Sequence, residues 1–187
     1  IMKVISGKLR GRKIDGYDIN GTRPTMDRVK ESLFGMIQEN IYDSVVLDLF
    51  AGSGRLGIEA ISNGANTCYF IDNNNIVINI LKKNISNLGI NDNSKIILSD
   101  WKRAINNFGD KGIKFDLIFV DPPYDYDVYE KILRKVDELN LLNDKGLIVL
   151  EHHNLKFDNE YGNLVKYKER NYGNKDITIY KNNVKSD

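Results

Sequence analysis

The chain has 187 residues, 41% hydrophobic and 28% charged, with a formal net charge of +1. This fits a single domain over 1–187 with a sizeable core, and no charge excess dictates a partner. No run is apolar enough to span a membrane or to act as a signal segment, so a cytoplasmic protein is expected, and the lone Cys68 excludes an internal disulfide or a cysteine-based zinc site.

Residues 1–24 read as a short basic extension, β-hairpin-like, with Lys3-Val4-Ile5 as a strand and Gly7, Gly11, Gly16 and Gly21 as punctuation. Lys3, Lys8, Arg10, Arg12 and Lys13 are interrupted by no acid. Such a block is either a solvated face or a local contact for phosphate. Residues 25–187 form the core. Arg23-Pro24-Thr25 opens a helix, with Thr25 expected as its cap and Asp27 in its first turn. Met26, Val29, Leu33, Phe34 and Ile37 recur at helical spacing toward Asn40, leaving Arg23, Arg28, Lys30 and Glu31 on the other side.

Val45–Phe50 is an apolar strand that contains Asp48. It is followed by Ala51-Gly52-Ser53-Gly54-Arg55-Leu56-Gly57 and a helix through about Ser62. Gly52, Gly54 and Gly57 match a dinucleotide-binding spacing, a weak signal alone. A carboxylate just before the loop repels a pyrophosphate and suits a cation. The next strand, Thr67–Ile71, ends at Asp72, at the distance where an acid meets a ribose diol. A cationic ribose-bearing ligand without phosphate fits both, and S-adenosylmethionine is one. A helix over Asn75–Leu88 ends at Gly89. A third strand, Lys95–Leu98, leads to Asp100, an acceptor for an exocyclic adenine amine, and to Trp101, which either covers the adenine or packs on the sheet. A short helix reaches Phe108, with a turn over Gly109–Gly112.

Leu117–Val120 is continuously apolar, as a strand buried on both faces is. It stops at Asp121-Pro122-Pro123-Tyr124. The prolines cannot extend a sheet ladder, and Pro122 bars Asp121 from helical backbone angles. A rigid acceptor, a fixed carbonyl and a nearby ring suit a planar group bearing an amino function. A helix over Val128–Leu139, a strand over Gly146–Glu151 and an alternating hairpin (Leu164–Arg170, Asp176–Lys181, turning at Tyr172-Gly173-Asn174) complete the chain. The class is α/β: a three-layer sandwich with a mostly parallel sheet, closed by a C-terminal antiparallel hairpin. His152 and His153 face opposite ways on a strand, so no metal site is expected.

Asp48–Gly54 with Leu56–Ala60 resembles the cofactor loop of Rossmann-like class I methyltransferases. Asp121–Tyr124 resembles the Asp/Asn-Pro-Pro-Tyr/Phe motif of enzymes that methylate amino nitrogens. Ile5-Ser6-Gly7-Lys8-Leu9-Arg10-Gly11-Arg12 and Arg23–Phe34 resemble the signature of the bacterial RsmD family, which are 16S rRNA guanine-N2 methyltransferases. Asn63 departs from the arginine frequent there, and the His152-His153 pair is unusual. The resemblance implies S-adenosylmethionine held by Asp48, Phe50, Ala51, Gly52, Ser53, Gly54, Asp72, Asn73, Asp100 and Trp101. It implies Asp121, Pro122, Pro123 and Tyr124 at the reacting amine, and Arg10, Arg12, Arg23 and Arg28 on rRNA phosphates within the small subunit. A monomer is expected. The motif at 121–124 alone also fits a DNA adenine-N6 or cytosine-N4 enzyme or a protein glutamine enzyme, for which the length leaves little room for a target-recognition region.

Overall fold

The computed structural model describes residues 2–16, 24–123 and 127–184. Strands β1 (Met2–Lys3) and β2 (Lys13–Ile14) pair antiparallel and precede helix α1 (Pro24–Ile37). Then come β3 (Val45–Asp48), α2 (Arg55–Ser62), β4 (Thr67–Asp72), α3 (Asn75–Leu88), β5 (Ser94–Leu98), α4 (Trp101–Lys111), β6 (Phe115–Val120), α5 (Val128–Glu138), β7 (Leu142–His152), β8 (Glu160–Tyr161), β9 (Leu164–Asn171) and β10 (Asp176–Asn182).

Among the described residues the main sheet has eight strands in the order β5-β4-β3-β6-β7-β10-β9-β8. From β5 to β7 the pairs are parallel, and from β7 to β8 they are antiparallel. The chain moves outward from β3 to β5, then returns to place β6 on the other side of β3. That reversal opens a crevice at the carboxyl ends of β3 and β6, where open α/β sheets hold ligands.

The central strands read as unbroken apolar runs because both faces are covered. Val46, Leu117, Phe119, Leu147 and Val149 join a core built with α1, α2 and α3. Leu47, Ile118, Val120, Ile148 and Leu150 join a second core with α4 and α5. This is the three-layer sandwich expected from the sequence. Among the described residues no helix is long and apolar enough to cross a membrane.

Some boundaries differ from expectation. Helix α4 continues past Phe108 to Lys111, and Gly109, read as a turn, lies inside it. A Cβ at Gly109 would come within 3.1 Å of Leu139 Cδ2, so close approach to the end of α5 accounts for the glycine. Strand β7 begins at Leu142 rather than Gly146, its pairing with β6 shifting register between Phe115 and Leu117. The first strand is Met2–Lys3, so of the expected Lys3-Val4-Ile5 only Lys3 lies in it.

The N-terminal extension is bound to the core as a brace. A helix leaves its last carbonyls without intrahelical partners, and here Lys8 N donates to Ser62 O at 2.9 Å while Leu9 N donates to Ser62 Oγ at 3.0 Å. Gly7 makes this approach with φ of +79°; a Cβ there would lie 2.1 Å from Ser62 O. One turn earlier, fully buried Glu59 accepts from Ile5 N at 3.0 Å, Ser6 N at 2.9 Å and Ser6 Oγ at 2.7 Å. Lys30 completes the set with an ion pair to Glu59 at 3.0 Å and a bond to Lys3 O at 3.1 Å. Lys30, expected on the solvent side of α1, is therefore buried: the acid it meets comes from a helix distant in sequence. Asn63, the departure from the family pattern, joins the same cluster by donating to Ser6 Oγ at 2.9 Å.

Candidate active site

The crevice is built from three strand ends and a glycine loop. Leaving β3, the backbone continues the sheet for one further bond on each side, Leu49 N to Phe119 O and Ala51 N to Ile71 O. Gly52 and Gly54 then turn the chain with φ of +56° and +94°, values that favour glycine. A Cβ at Gly54 would strike Leu81 and Ile58, whereas one at Gly52 would meet nothing within 4 Å. The loop is packed from behind at Gly54 and open in front at Gly52.

Two acids shape this loop. Asp72, at the end of β4, accepts from Gly52 N with Oδ2 and from Asn74 N with Oδ1, both at 3.0 Å. Asp48 sits beneath the loop, buried, and accepts from Gly57 N at 3.0 Å, satisfying one of the unpaired donors in the first turn of α2. Gly54, the residue preceding α2, has no side chain to do this. Burial pushes the Asp48 carboxyl up to about 7, the Gly57 N–H and Arg55 offsetting only part of that effect. Where the sequence reading faces this carboxylate toward a bound cation, the structure encloses it under the loop.

Asp121 follows β6 and keeps 27% of its side chain exposed to the crevice. Its Oδ2 accepts from Arg55 Nη2 at 3.0 Å, and the same nitrogen lies 2.5 Å from Glu151 Oε2. Lys175, in the turn between β9 and β10, stands 3.5 Å from both carboxylates. Burial favours the neutral form of Asp121, but Arg55 and Lys175 overcome it and hold its carboxyl below the usual range. Glu151 is deeper, at 1% exposure; burial raises its carboxyl, and the charge of Asp121 opposes the help from Arg55. Its second oxygen, Oε1, has no hydrogen-bond partner among the described residues.

The remaining expected residues fall into three groups. Ala51 and Ser53 are buried in the loop, and Phe50 is partly buried against the α4–α5 side of the core. Asn73 and Asp100 are exposed, and Asp100 caps α4 by accepting from Arg103 N at 2.8 Å. Trp101 is partly buried and packs against the same core as Phe50. Pro122 and Pro123 border the crevice beside Asp121, while Tyr124 and Arg23 lie outside the described residues. Arg10, Arg12 and Arg28 are exposed. Arg12 donates to Asn87 O at 2.8 Å, in the last turn of α3. That helix starts beside Asp72 and spans about 20 Å, so Arg12 marks the opposite edge of the sheet.

Arg55, Glu151 and Lys175 were not singled out from the sequence. One signal was readable. Glu151 closes the apolar run Leu147–Leu150 as Asp121 closes Leu117–Val120, and adjacent parallel strands bring such ends together. Leu98, the partner of Asp72 across β4 and β5, is another: it is 53% exposed at the mouth of the crevice. Among the described residues no group of three His, Cys, Asp or Glu is arranged to hold a metal ion.

The sequence matches the family described as Conserved hypothetical protein 95 over residues 2–181. It is 38% identical over 181 residues to the putative rRNA methyltransferase YlbH of Bacillus subtilis, covering 96% of this chain and 98% of that one. It is 33% identical to ribosomal RNA small subunit methyltransferase D of Haemophilus influenzae, covering 97% and 94%. Its fold superimposes on the putative methyltransferase yhhF of Escherichia coli with a TM-score of 0.86 at 29% identity, covering 98% and 99%. A strand order that reverses between β3 and β6, a glycine loop tied to Asp72, and likeness along almost the full length agree: the chain belongs to the Conserved hypothetical protein 95 or RsmD family, within the class I methyltransferases.

Proposed function

We propose that this protein transfers a methyl group from S-adenosylmethionine to the exocyclic N2 of a guanine in 16S rRNA, acting as a cytoplasmic monomer on the small ribosomal subunit or a precursor of it. The observation that carries the reading is the charged, partly open Asp121 at the end of β6, set in the same crevice as the glycine loop that Asp72 braces. The names of the relatives support rRNA as the substrate class.

The residues present fit the cofactor. Open space in front of Gly52, the acid at the end of β4 and the exposed Leu98 beside it offer a close backbone approach, an acceptor for ribose hydroxyls and an apolar wall. Asp100 is the acceptor for the adenine amine. S-adenosylmethionine supplies an electrophilic methyl group on a positively charged sulfur.

Asp121 and the Pro122 carbonyl accept hydrogen bonds from the guanine amino group. The lone pair of that nitrogen is delocalised into the ring; two fixed acceptors orient it and stabilise the positive charge that develops on nitrogen. A carboxylate held below its usual range serves this role better than that of a strong base, so the released proton passes to water. Tyr124 stacks on the base, which must first leave its own stack. Arg10, Arg12, Arg23 and Arg28 contact phosphates; with Arg12 at the far edge, the RNA would extend well beyond the crevice.

The test is transfer of a tritiated methyl group to small subunits from a strain lacking the enzyme. Label in guanine N2, lost in Asp121→Ala, is expected. Label in DNA or protein with none in ribosomal RNA would sink the reading.

A further inference from the structure

The geometry points to Arg55 as a positioning residue that joins the cofactor loop to the reacting carboxylate, with Glu151 as its fixed anchor. Arg55 is the residue directly after Gly54, so its backbone is part of the turn that faces the cofactor, and it begins α2. Its Nη2 bridges Asp121 Oδ2 and Glu151 Oε2 at 3.0 and 2.5 Å. A guanidinium with one end fixed to the loop and the other shared by two carboxylates sets where Asp121 Oδ2 stands relative to Gly52 and Gly54. This rests on the proposed methyl transfer and adds how the acceptor is held.

The division between the two carboxylates follows from their exposure. Asp121, at 27%, faces the crevice; Glu151, at 1%, cannot reach a substrate. Glu151 is nonetheless built into the site: it is the penultimate residue of β7, next to β6, and its backbone carbonyl accepts from Tyr129 on α5. Its Oε1 is a buried polar atom without a hydrogen-bond partner among the described residues. Lys175 differs from Arg55 in being 31% exposed and 3.5 Å from each acid, the more loosely held of the two cations. Among the described residues, the charged groups facing Asp121 are Arg55 from α2, Glu151 from β7, Lys175 from the β9–β10 turn and, beneath the loop, Asp48 from β3.

Removing Arg55 takes away a cation within ion-pair distance of Asp121 and leaves two carboxylates side by side. Asp121 then protonates at higher pH, and the acid limb of the rate profile should move up by roughly one to three pH units. A lesion that only loosened the fold would lower the rate equally at every pH.

The experiment compares the wild type with Arg55→Ala, Arg55→Lys and Glu151→Gln. It follows kcat for methyl transfer to small subunits against pH, S-adenosylmethionine affinity by calorimetry, and thermal unfolding. The expected result is an upward shift of the acid limb in Arg55→Ala, with much of the rate recovered at high pH and cofactor affinity within about threefold of the wild type, since no charged end of Arg55 is assigned to the cofactor. Arg55→Lys should show a smaller shift, and Glu151→Gln, which keeps a neutral hydrogen-bonding group beside Asp121, no upward shift. An unmoved limb in a folded Arg55→Ala, or an upward shift in Glu151→Gln, overturns the inference. If Arg55→Ala does not fold, Arg55→Lys and Glu151→Gln decide it by the same criteria. Absence of wild-type transfer to subunits, or transfer that survives Asp121→Ala, would instead remove the functional reading on which it rests.

Discussion

Two glutamates are buried in this molecule, and their surroundings have opposite character. Glu59 binds the N-terminal extension to α2; both its oxygens receive backbone or hydroxyl donors, and Lys30 pairs with it in a site closed to solvent. Glu151 borders the crevice; it shares Arg55 with a second carboxylate, and one of its oxygens has no partner among the described residues. A buried charge that holds a fold together is satisfied on every side.

That contrast fails if the Glu59 site is dispensable. Glu59→Ala strands Lys30 in a buried position and removes the acceptor for three donors of the extension. It should cost about 3–5 kcal/mol of stability, read by denaturant unfolding; a loss below 1 kcal/mol would show that the extension is only loosely attached.

The next effect in size concerns pH. Asp48 has a folded value near 7 against 3.8 for the ordinary carboxyl, so the folded chain binds more protons between those values. Stability should therefore fall as pH rises from about 4 to 7, by up to about 1 kcal/mol per pH unit. Glu151, also raised, contributes with the same sign. Asp121 acts oppositely: its lowered carboxyl contributes stability that is present above the ordinary carboxyl value and lost as pH falls below it. Asp48→Asn keeps an acceptor for Gly57 N and removes the titration, so chemical denaturation at pH 4, 5.5 and 7 should show a flatter profile. An unchanged slope would mean that Asp48 does not titrate in this window.

The smallest effect sharpens the functional side. Lys175→Ala removes a partly exposed ion pair at 3.5 Å and should change stability by less than about 1 kcal/mol. A loss as large as that of Glu59→Ala would erase the distinction between the two glutamate sites.

The layers of this fold were legible because they depend on local pattern. Leu117–Val120 and Leu147–Leu150 are apolar without a break since helices cover both faces, and Gly89 ends α3 with φ of +70° as a left-handed cap should. The ends of α4 and β7 were missed where packing overrides local signal: Gly109 serves contact with Leu139, not a turn. In the candidate site, Asp72 and Asp121 could be found because each terminates an apolar strand. Arg55 could not be paired with Asp121 or Glu151, 66 and 96 positions away, by any periodicity within its own helix. Lys30 was misplaced for the same reason. Its face of α1 looks like a solvent face until Glu59 and the backbone at Lys3 are brought beside it.

The attachment of the extension also imposes an order of assembly. Leu9, Asp15 and Arg12 are secured by partners 53, 69 and 75 positions further along, at Ser62, Asn84 and Asn87. During translation these residues are made before their partners: Leu9 can dock once α2 is made, whereas Arg12 waits for Asn87 at the end of α3, a delay of roughly 4 to 15 seconds at usual elongation rates. Val4, Leu9 and Ile14 of this segment end in the core. A segment made early is thus secured only by elements made well after it.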